Sequence, residues 1–456
     1  MAGALVGGRP ASARFRVEPP LRPRLVVLTD IGNEPDDAES LVRLLLYANE
    51  IDIEALIAST STWLKDRVNP SLIQERVRAY GEVLPNLAVH ATGWPRAEDL
   101  LQRIYAGAPH YGLEGVGPDQ DTDASRAIVA IVDRPDPRPV WFALWGGATD
   151  LAQALDSVRR TRSPQALAAF VAKVRVYSIS DQDDAGPCLR AQFPQMFWIA
   201  SIHGFGQYRL ATWNGISGDL MNPIAGADTR LVDRDWQAAN VIGKGPLGAL
   251  YPRSLYILEG DTPSFLGLIP NGLNVPDRPD YGGWGGRYTR VSPHLGLYAD
   301  AVDTVVGVDG QTHTSNHATL WRWREAFQND FAARIGWSIS PRRADGLHPP
   351  VLRLNGVAGH EPVRIAAAAR EIVELNAAGS RDPDGRGLTL RWSQYKEPTG
   401  GVFAPPVRLS ETQGERTQFT TPPVRSQTEL HILLAGRGQG ASGLTRYRRA
   451  IVTVTP

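Results

Sequence analysis

The sequence predicts an α/β domain built on an open, mostly parallel sheet, followed by a small Ig-like β-sandwich. Three observations lead there. Residues 25–29, Leu-Val-Val-Leu-Thr, are apolar without alternation, as in a strand buried on both faces, and they run into Asp30-Ile31-Gly32-Asn33-Glu34-Pro35-Asp36-Asp37 ahead of an amphipathic stretch. Further apolar runs at 51–58, 140–145 and 174–180 alternate with helical patterns, the signature of βαβ units and a parallel sheet. Beyond Pro350 the pattern changes to short period-two runs separated by Gly, Pro and Asp, as in a sandwich.

Taken in order, residues 37–47 carry Leu41, Leu44 and Leu45 on one face and read as a helix. Residues 71–83 form a second helix and 87–91 a short strand. After a loop-rich stretch, 124–132 is helical, 140–145 is a strand, and 151–158 is a helix opened by Gly146-Gly147-Ala148-Thr149-Asp150. Strands are expected at 174–180, ending in Asp181-Gln182-Asp183-Asp184, at 197–200, and at 255–258, ending in Glu259-Gly260-Asp261. Residues 262–312 are rich in Gly and Pro, and 316–335 reads as a helix. Short strands follow at 372–375, 388–392, 417–420, 429–434 and 449–454. The expected organisation is an N-terminal extension (1–23), an α/β domain (24–340) and a β domain (341–456).

Composition narrows the function. The chain has 456 residues, with Lys+Arg 48 balancing Asp+Glu 48, so no net field favours nucleic acid or an anionic membrane as partner. Mean hydropathy is −0.24 and no long uncharged apolar run is present, so no membrane span is expected. Cys188 is the only cysteine; that excludes an intrachain disulfide or a multi-cysteine metal site, and a buried thiol is the favoured reading. The first residues lack the apolar core of a signal peptide.

The chemistry sits at the strand ends. Asp30, Asp36 and Asp37 fall within eight residues, and Asp184 and Asp261 end other apolar runs. Asp36 or Asp37 would cap a helix in any protein, but Asp30 follows a strand and has no helix to cap. Carboxylates gathered this way repel unless a cation lies between them, and hard oxygen ligands favour Ca²⁺ or Mg²⁺ over Zn²⁺. Trp284, flanked by Gly282-Gly283 and Gly285-Gly286, reads either as an exposed wall for stacking a sugar or base, or as an anchor for the loop. Asp382-Pro383-Asp384-Gly385 reads as a turn before a calcium site. His203, His294 and His313 are candidate proton donors, each more often structural.

The segments Val27-Leu28-Thr29-Asp30 to Asp36-Asp37-Ala38 and Leu144 to Ala152 resemble the opening D-T-D-P-G-x-D-D-A and the G-P-L-T-N-L-A of nucleoside hydrolases. Leu28 stands where that family has its first Asp, two extra residues lengthen the turn at Asn33-Glu34, and Gly260-Asp261 replaces a His-Asp pair. A longer resemblance, through Ser178 to Gly186, Gly283 to Tyr288, Trp321 to Arg324 and Ala377 to Gly385, is to bacterial proteins that fuse a nucleoside-hydrolase-like domain to a small β domain, a family described as cellulose-binding.

The resemblance implies calcium held by Asp30, Asp37, the Thr149 carbonyl and Asp261. It implies water activated by the metal and Asp30, with Asn33, Asp36, Asp184, Glu259 and Trp284 toward the substrate. The expected activity is hydrolysis of an N- or O-glycosidic bond. The alternative is a carbohydrate-binding protein without turnover. Expected partners are a carbohydrate or nucleoside-like small molecule, or a polysaccharide, with self-association left open; the family is secreted or periplasmic.

Overall fold

Residues 22–203, 207–218 and 223–456 are described in the computed structural model of the chain. The strand β1 (Arg24–Thr29) is buried along its whole length and pairs in parallel with β2 (Asp52–Ala58) on one side and β4 (Val140–Leu144) on the other. The strands β3 (Ile104–Ala106), β5 (Val174–Ser178), β6 (Phe197–Ala200), β7 (Tyr288–Arg290) and β8 (Leu297–Asp300) complete the sheet, in the order β3-β2-β1-β4-β5-β6-β8-β7. Only β7 runs antiparallel to its neighbour. The chain moves outward from β1 to β2 and β3, then returns to lay β4 on the other flank. The C-terminal ends of β1 and β4 therefore bound the switch point at which an open parallel sheet forms a crevice.

Alternate β1 residues serve two cores, which explains why the strand is apolar throughout. Leu25 and Val27 pack with helices α1 (Asp36–Leu45) and α2 (Pro70–His90), whereas Val26 and Leu28 face α4 (Asp123–Asp133) and α5 (Thr149–Thr161). Shorter helices are α3 (Ala97–Leu101), α6 (Pro164–Ala172), α7 (Ala185–Gln192), α8 (Arg234–Asn240), α9 (Gly245–Ala249) and α10 (Pro263–Leu266).

Several elements depart from the sequence reading. Residues 87–91 are not a strand but the end of α2, which continues through Pro85; Leu87 and His90 are buried while Val89 is exposed, a helical spacing. The apolar run 255–258 is irregular, with Leu255 and Tyr256 exposed. The helix expected at 316–335 is divided into α11 (Ala318–Trp321) and α12 (Arg324–Ser338). Within the Gly/Pro-rich stretch lies a hairpin of β9 (Asp303–Val306) and β10 (Thr312–Ser315).

The C-terminal part is a β-sandwich. It comprises β11 (Arg353–Leu354), β12 (Val357–Ala358), β13 (Val363–Ala368), β14 (Ile372–Asn376), β15 (Leu388–Tyr395), β16 (Arg416–Thr420), β17 (Thr428–Gly438) and β18 (Thr445–Thr455). A sheet β13-β18-β17-β15 and the pair β14-β16 enclose Leu375, Trp392, Phe419, Ile432 and Val452. This domain is docked, not merely tethered. Tyr395, Leu433 and Tyr447 join the core of the α/β domain, Arg446 pairs with buried Asp330 at 2.7 Å, and fully buried Arg449 donates to the carbonyls of Leu273 and Gly282. No helix among the described residues is long and apolar enough to cross a membrane.

Candidate active site

The end of β1 is tied to the start of α1 by one side chain. The Thr29 hydroxyl accepts from Ile31 N at 3.1 Å and donates to Asp37, so the strand end and the helix start are fixed to each other. Between them Gly32 takes a φ of +101°, where a Cβ would lie 2.7 Å from Asn69 Nδ2; that amide in turn donates to Ile31 O at 2.9 Å. The turn cannot relax, and its three aspartates are presented together. Asp36, Asp37 and Glu39 in the first turn of α1 also face the positive end of its dipole.

These residues open into a cleft of about 500 Å³ at the switch point, lined on its polar side by Asp30, Asn33, Glu34, Asp36, Asp37 and Asp261. Asp36, Asp37 and Asp261 each present an oxygen within 4.8 Å of the others. Asp30 sits beside them and accepts from Ser61 Oγ at 2.5 Å. Burial pushes the Asp30 carboxyl up to about 6, and burial together with Glu34 and Asp30 pushes Asp36 up to about 7. Asp37 and Asp261 are held well above the usual carboxylate range, first by burial, then by Asp30 and Asp36 for Asp37 and by Asp37 and Asp36 for Asp261. Asp261 Oδ2 is buried without a hydrogen-bond partner. A larger cleft, about 1000 Å³, lies between the domains near Arg22, Arg138 and Tyr447, away from these carboxylates.

The loop carrying Asp261 is held from below. Gly260 approaches so closely that a Cβ would meet Asp36 Oδ2 at 2.7 Å. Glu259, at a φ of +54°, points away from the cleft: it takes Arg43 Nη1 at 2.6 Å and Tyr251 Oη at 2.7 Å. Both of its oxygens are therefore satisfied internally, which corrects its expected place against a sugar. Glu39 accepts from Glu259 N at 2.8 Å and braces the same turn from α1.

Three other expected residues stand elsewhere. Trp284 is fully buried, edge-on to Phe327 at 6.4 Å, and is a core anchor rather than a stacking wall. Asp184 is exposed at the start of α7, where it accepts from Leu113 N at 2.8 Å, and it does not line the cleft. Thr149 lies outside the lining as well, with its hydroxyl on Asp183 at 3.2 Å; buried Asp183 also accepts from Ala148 N, Ala185 N and Gly186 N, and so fastens the starts of α5 and α7 together. The structure thus groups Asp36, expected at the substrate, with the cation-type cluster of Asp37 and Asp261.

None of His203, His294 and His313 lines the cleft; His203 reaches it indirectly, through Ser180 Oγ at 2.8 Å, which also accepts from Trp213 Nε1 at 3.1 Å. Cys188 is half-buried on α7, next to Gln192, rather than a fully buried thiol.

The sequence reading missed the apolar half of the site. Trp63, Tyr208 and Trp213 form a ladder of rings 6.2 and 5.9 Å apart, and Trp145, Ile179, Ile257 and Tyr256 continue the wall. Trp63 is 46% exposed and Tyr256 61% exposed, so the ladder reaches from solvent toward the carboxylates. The signal was present: Ser59 to Trp63 follows β2, whose C-terminal end lies on the same sheet edge as β1, and a search for strand ends bearing only acids passes over it.

The family described as "Cellulose-binding Sde182, nucleoside hydrolase-like domain" matches residues 24–288, and "Cellulose-binding protein Sde0182, C-terminal domain" matches 372–454. A solved structure, of a nucleoside hydrolase-related hypothetical protein from Saccharophagus degradans associated with carbohydrate metabolism, is 33% identical, with a TM-score of 0.82 over 95% of this chain and 100% of that one. The effector protein XOO4466 and the type III effector XopQ complexed with adenosine diphosphate ribose are each 12% identical over 72% of this chain, covering 95% and 96% of theirs, with TM-scores of 0.33 and 0.32 too low to carry an argument. No curated protein matches the chain.

Proposed function

Because the chain belongs to the nucleoside-hydrolase-like family described as cellulose-binding, we propose that its cleft binds a carbohydrate beside a calcium ion and hydrolyses a glycosidic bond with Asp30 as general base. The observation that carries this reading is Asp261 Oδ2, buried and unpartnered within a cluster of carboxylates. A buried anion without a partner is costly, and a hard all-oxygen donor set fits calcium. Asp36, Asp37 and Asp261 would hold the ion, with Asp30 at its edge. Such an ion steadies the ionised carboxylates and makes a bound water more acidic.

The residues of the chain supply the remaining steps. Ser61 fixes Asp30 through Oδ2, which leaves Oδ1 to take a proton from water. A carboxylate raised by burial is a stronger base than one in water, which suits that transfer. As the water oxygen bonds to the anomeric carbon, the bond to the leaving atom breaks. Glu34, half-buried in the cleft with its carboxyl raised by burial, is placed to return a proton to that atom. The wall of Trp63, Tyr208, Trp213 and Tyr256 offers ring faces for the apolar face of a sugar and excludes water on that side.

A second reading, carbohydrate retention without turnover, draws on the exposure of Trp63 and Tyr256 and on Leu28, which is buried in the apolar core where nucleoside hydrolases carry an acid. Both readings place the sugar on the aromatic wall. Calorimetric titration with Ca²⁺ is expected to give one site that Asp261→Asn removes, and Trp63→Ala with Tyr256→Ala is expected to weaken retention on cellulose or oligosaccharide at least about tenfold, ~1.4 kcal/mol, while calcium binding persists. Unchanged retention in the double variant would remove the sugar from this wall.

A further inference from the structure

Where the two domains meet, three ring systems lie against one another. His90 ends α2, His348 lies between the domains, and Trp337 belongs to α12; their ring centroids are 5.3 to 5.5 Å apart and their planes within 24°. Both histidines are buried. His90 Nε2 is 2.9 Å from Ser340 O, His90 Nδ1 is 3.1 Å from His348 Nε2, and His348 Nδ1 is 2.7 Å from Asp384 Oδ1. Asp384, in the β domain, also accepts from His348 N at 2.8 Å. One hydrogen-bonded line thus joins α2, the segment between the domains and a turn of the β-sandwich.

The protons in this line can be counted. A carbonyl only accepts, so His90 Nε2 must carry a proton, and a neutral His90 then has a lone pair on Nδ1. His348 Nε2 must donate to that lone pair. A neutral His348 would then have a second lone pair, on Nδ1, aimed at a carboxylate oxygen 2.7 Å away. The other neutral form of His348 moves the conflict to the 3.1 Å contact with His90. Three bonds need three protons, and two neutral imidazoles carry two.

We infer that the His90–His348 pair holds three ring protons at neutral pH, one of the two rings being an imidazolium, and that this third proton latches the β domain to the α/β domain.

The surroundings pull in both directions. Burial holds His348 below the ordinary histidine range; the hydrogen bond and charge of Asp384 oppose it without reversing it, and Arg343 and His90 add to the lowering. The other charged groups nearby are Asp345, paired with Arg342, and Asp382, which accepts from Asp384 N; Arg343 donates to His90 O. The hydrogen-bond count decides for one charge on the pair, because two neutral rings set two lone pairs face to face in a buried site. The Trp337 ring, stacked at 5.4 Å, adds a favourable face for a cation. The sign follows from the hydrogen bonds: a third proton held by them in the folded state contributes stability at low pH, and that stability is lost as pH rises and the proton leaves.

Nitrogen-15 spectra of the full histidine-labelled chain at about pH 7 test this, with the His348 signals identified by their loss in His348→Gln. Both ring nitrogens of His348 or of His90, the latter identified in the same way with His90→Gln, are expected to be protonated, and Asp384→Asn is expected to lower that titration by at least about one pH unit, a tenfold change. Two neutral rings in the folded wild type overturn the inference. Protease cleavage of wild type within residues 341–350 needs no variant: its rate is expected to rise between about pH 6.5 and 8.5 against a pH-corrected unfolded control, and a flat ratio overturns the latch.

Discussion

At the scale of single residues, burial and the neighbouring carboxylates hold the protons of Asp36, Asp37 and Asp261 above the usual carboxylate range. In a metal-free protein this fixes a direction. The unfolded chain releases these protons near the ordinary value of 3.8, while folded Asp30 and Asp36 keep theirs to about 6 and about 7. The folded state therefore binds more protons across that window, and its stability falls as pH rises from about 4 to about 7. Thermal unfolding in chelator should show this decline, and Ca²⁺ should raise the melting temperature more at pH 7.5 than at pH 5. A melting temperature in chelator that climbs through this window would contradict the placement of these acids.

Among the elements, the β1 to α1 turn was legible because its chemistry is local: an apolar run, a Gly/Pro break and an acidic helix start are all visible in the thirteen residues 25–37. Glu259 and Trp284 were not legible. Whether a carboxylate beside a conspicuous Gly-Asp faces substrate or structure depends on Arg43, 216 residues away, and on Tyr251. Trp284 was open between wall and anchor because glycines permit both, and the packing of Phe327 on α12 decided it. The strand expected at 87–91 failed for a related reason: a short apolar stretch after Pro85 looks like a new element, yet α2 continues through the proline. The Arg43 pair has its own consequence. Both partners are buried, so Arg43→Met leaves Glu259 as an uncompensated charge under the Asp261 loop. Chemical denaturation should show a loss of about 3–5 kcal/mol; a loss under 1 kcal/mol would mean that the loop is held by other contacts.

For the whole molecule, the sheet order puts the cleft at the switch point, and the β-sandwich packs on the same core. Tyr395, Leu433 and Tyr447 complete that core, and Tyr395 Oη donates to Asp303 at 2.8 Å. Removing the second domain would bare Trp323, packed edge-on to both tyrosines at 5.7 and 5.6 Å. Calorimetry of the full chain near neutral pH should therefore give one cooperative transition, with calorimetric and van 't Hoff enthalpies in agreement. Two separated transitions would show the domains to be independent. The central claim is narrower, that carboxylates beneath an aromatic wall hydrolyse a sugar bond with Asp30 as base. It is tested most directly by following product release from nucleosides, aryl pentosides and oligosaccharides, with Ca²⁺ or chelator, by wild type and Asp30→Asn. The account predicts calcium-dependent release from at least one class, reduced about 10²–10⁴-fold in Asp30→Asn; no release from any class, or equal rates in the two proteins, would contradict it.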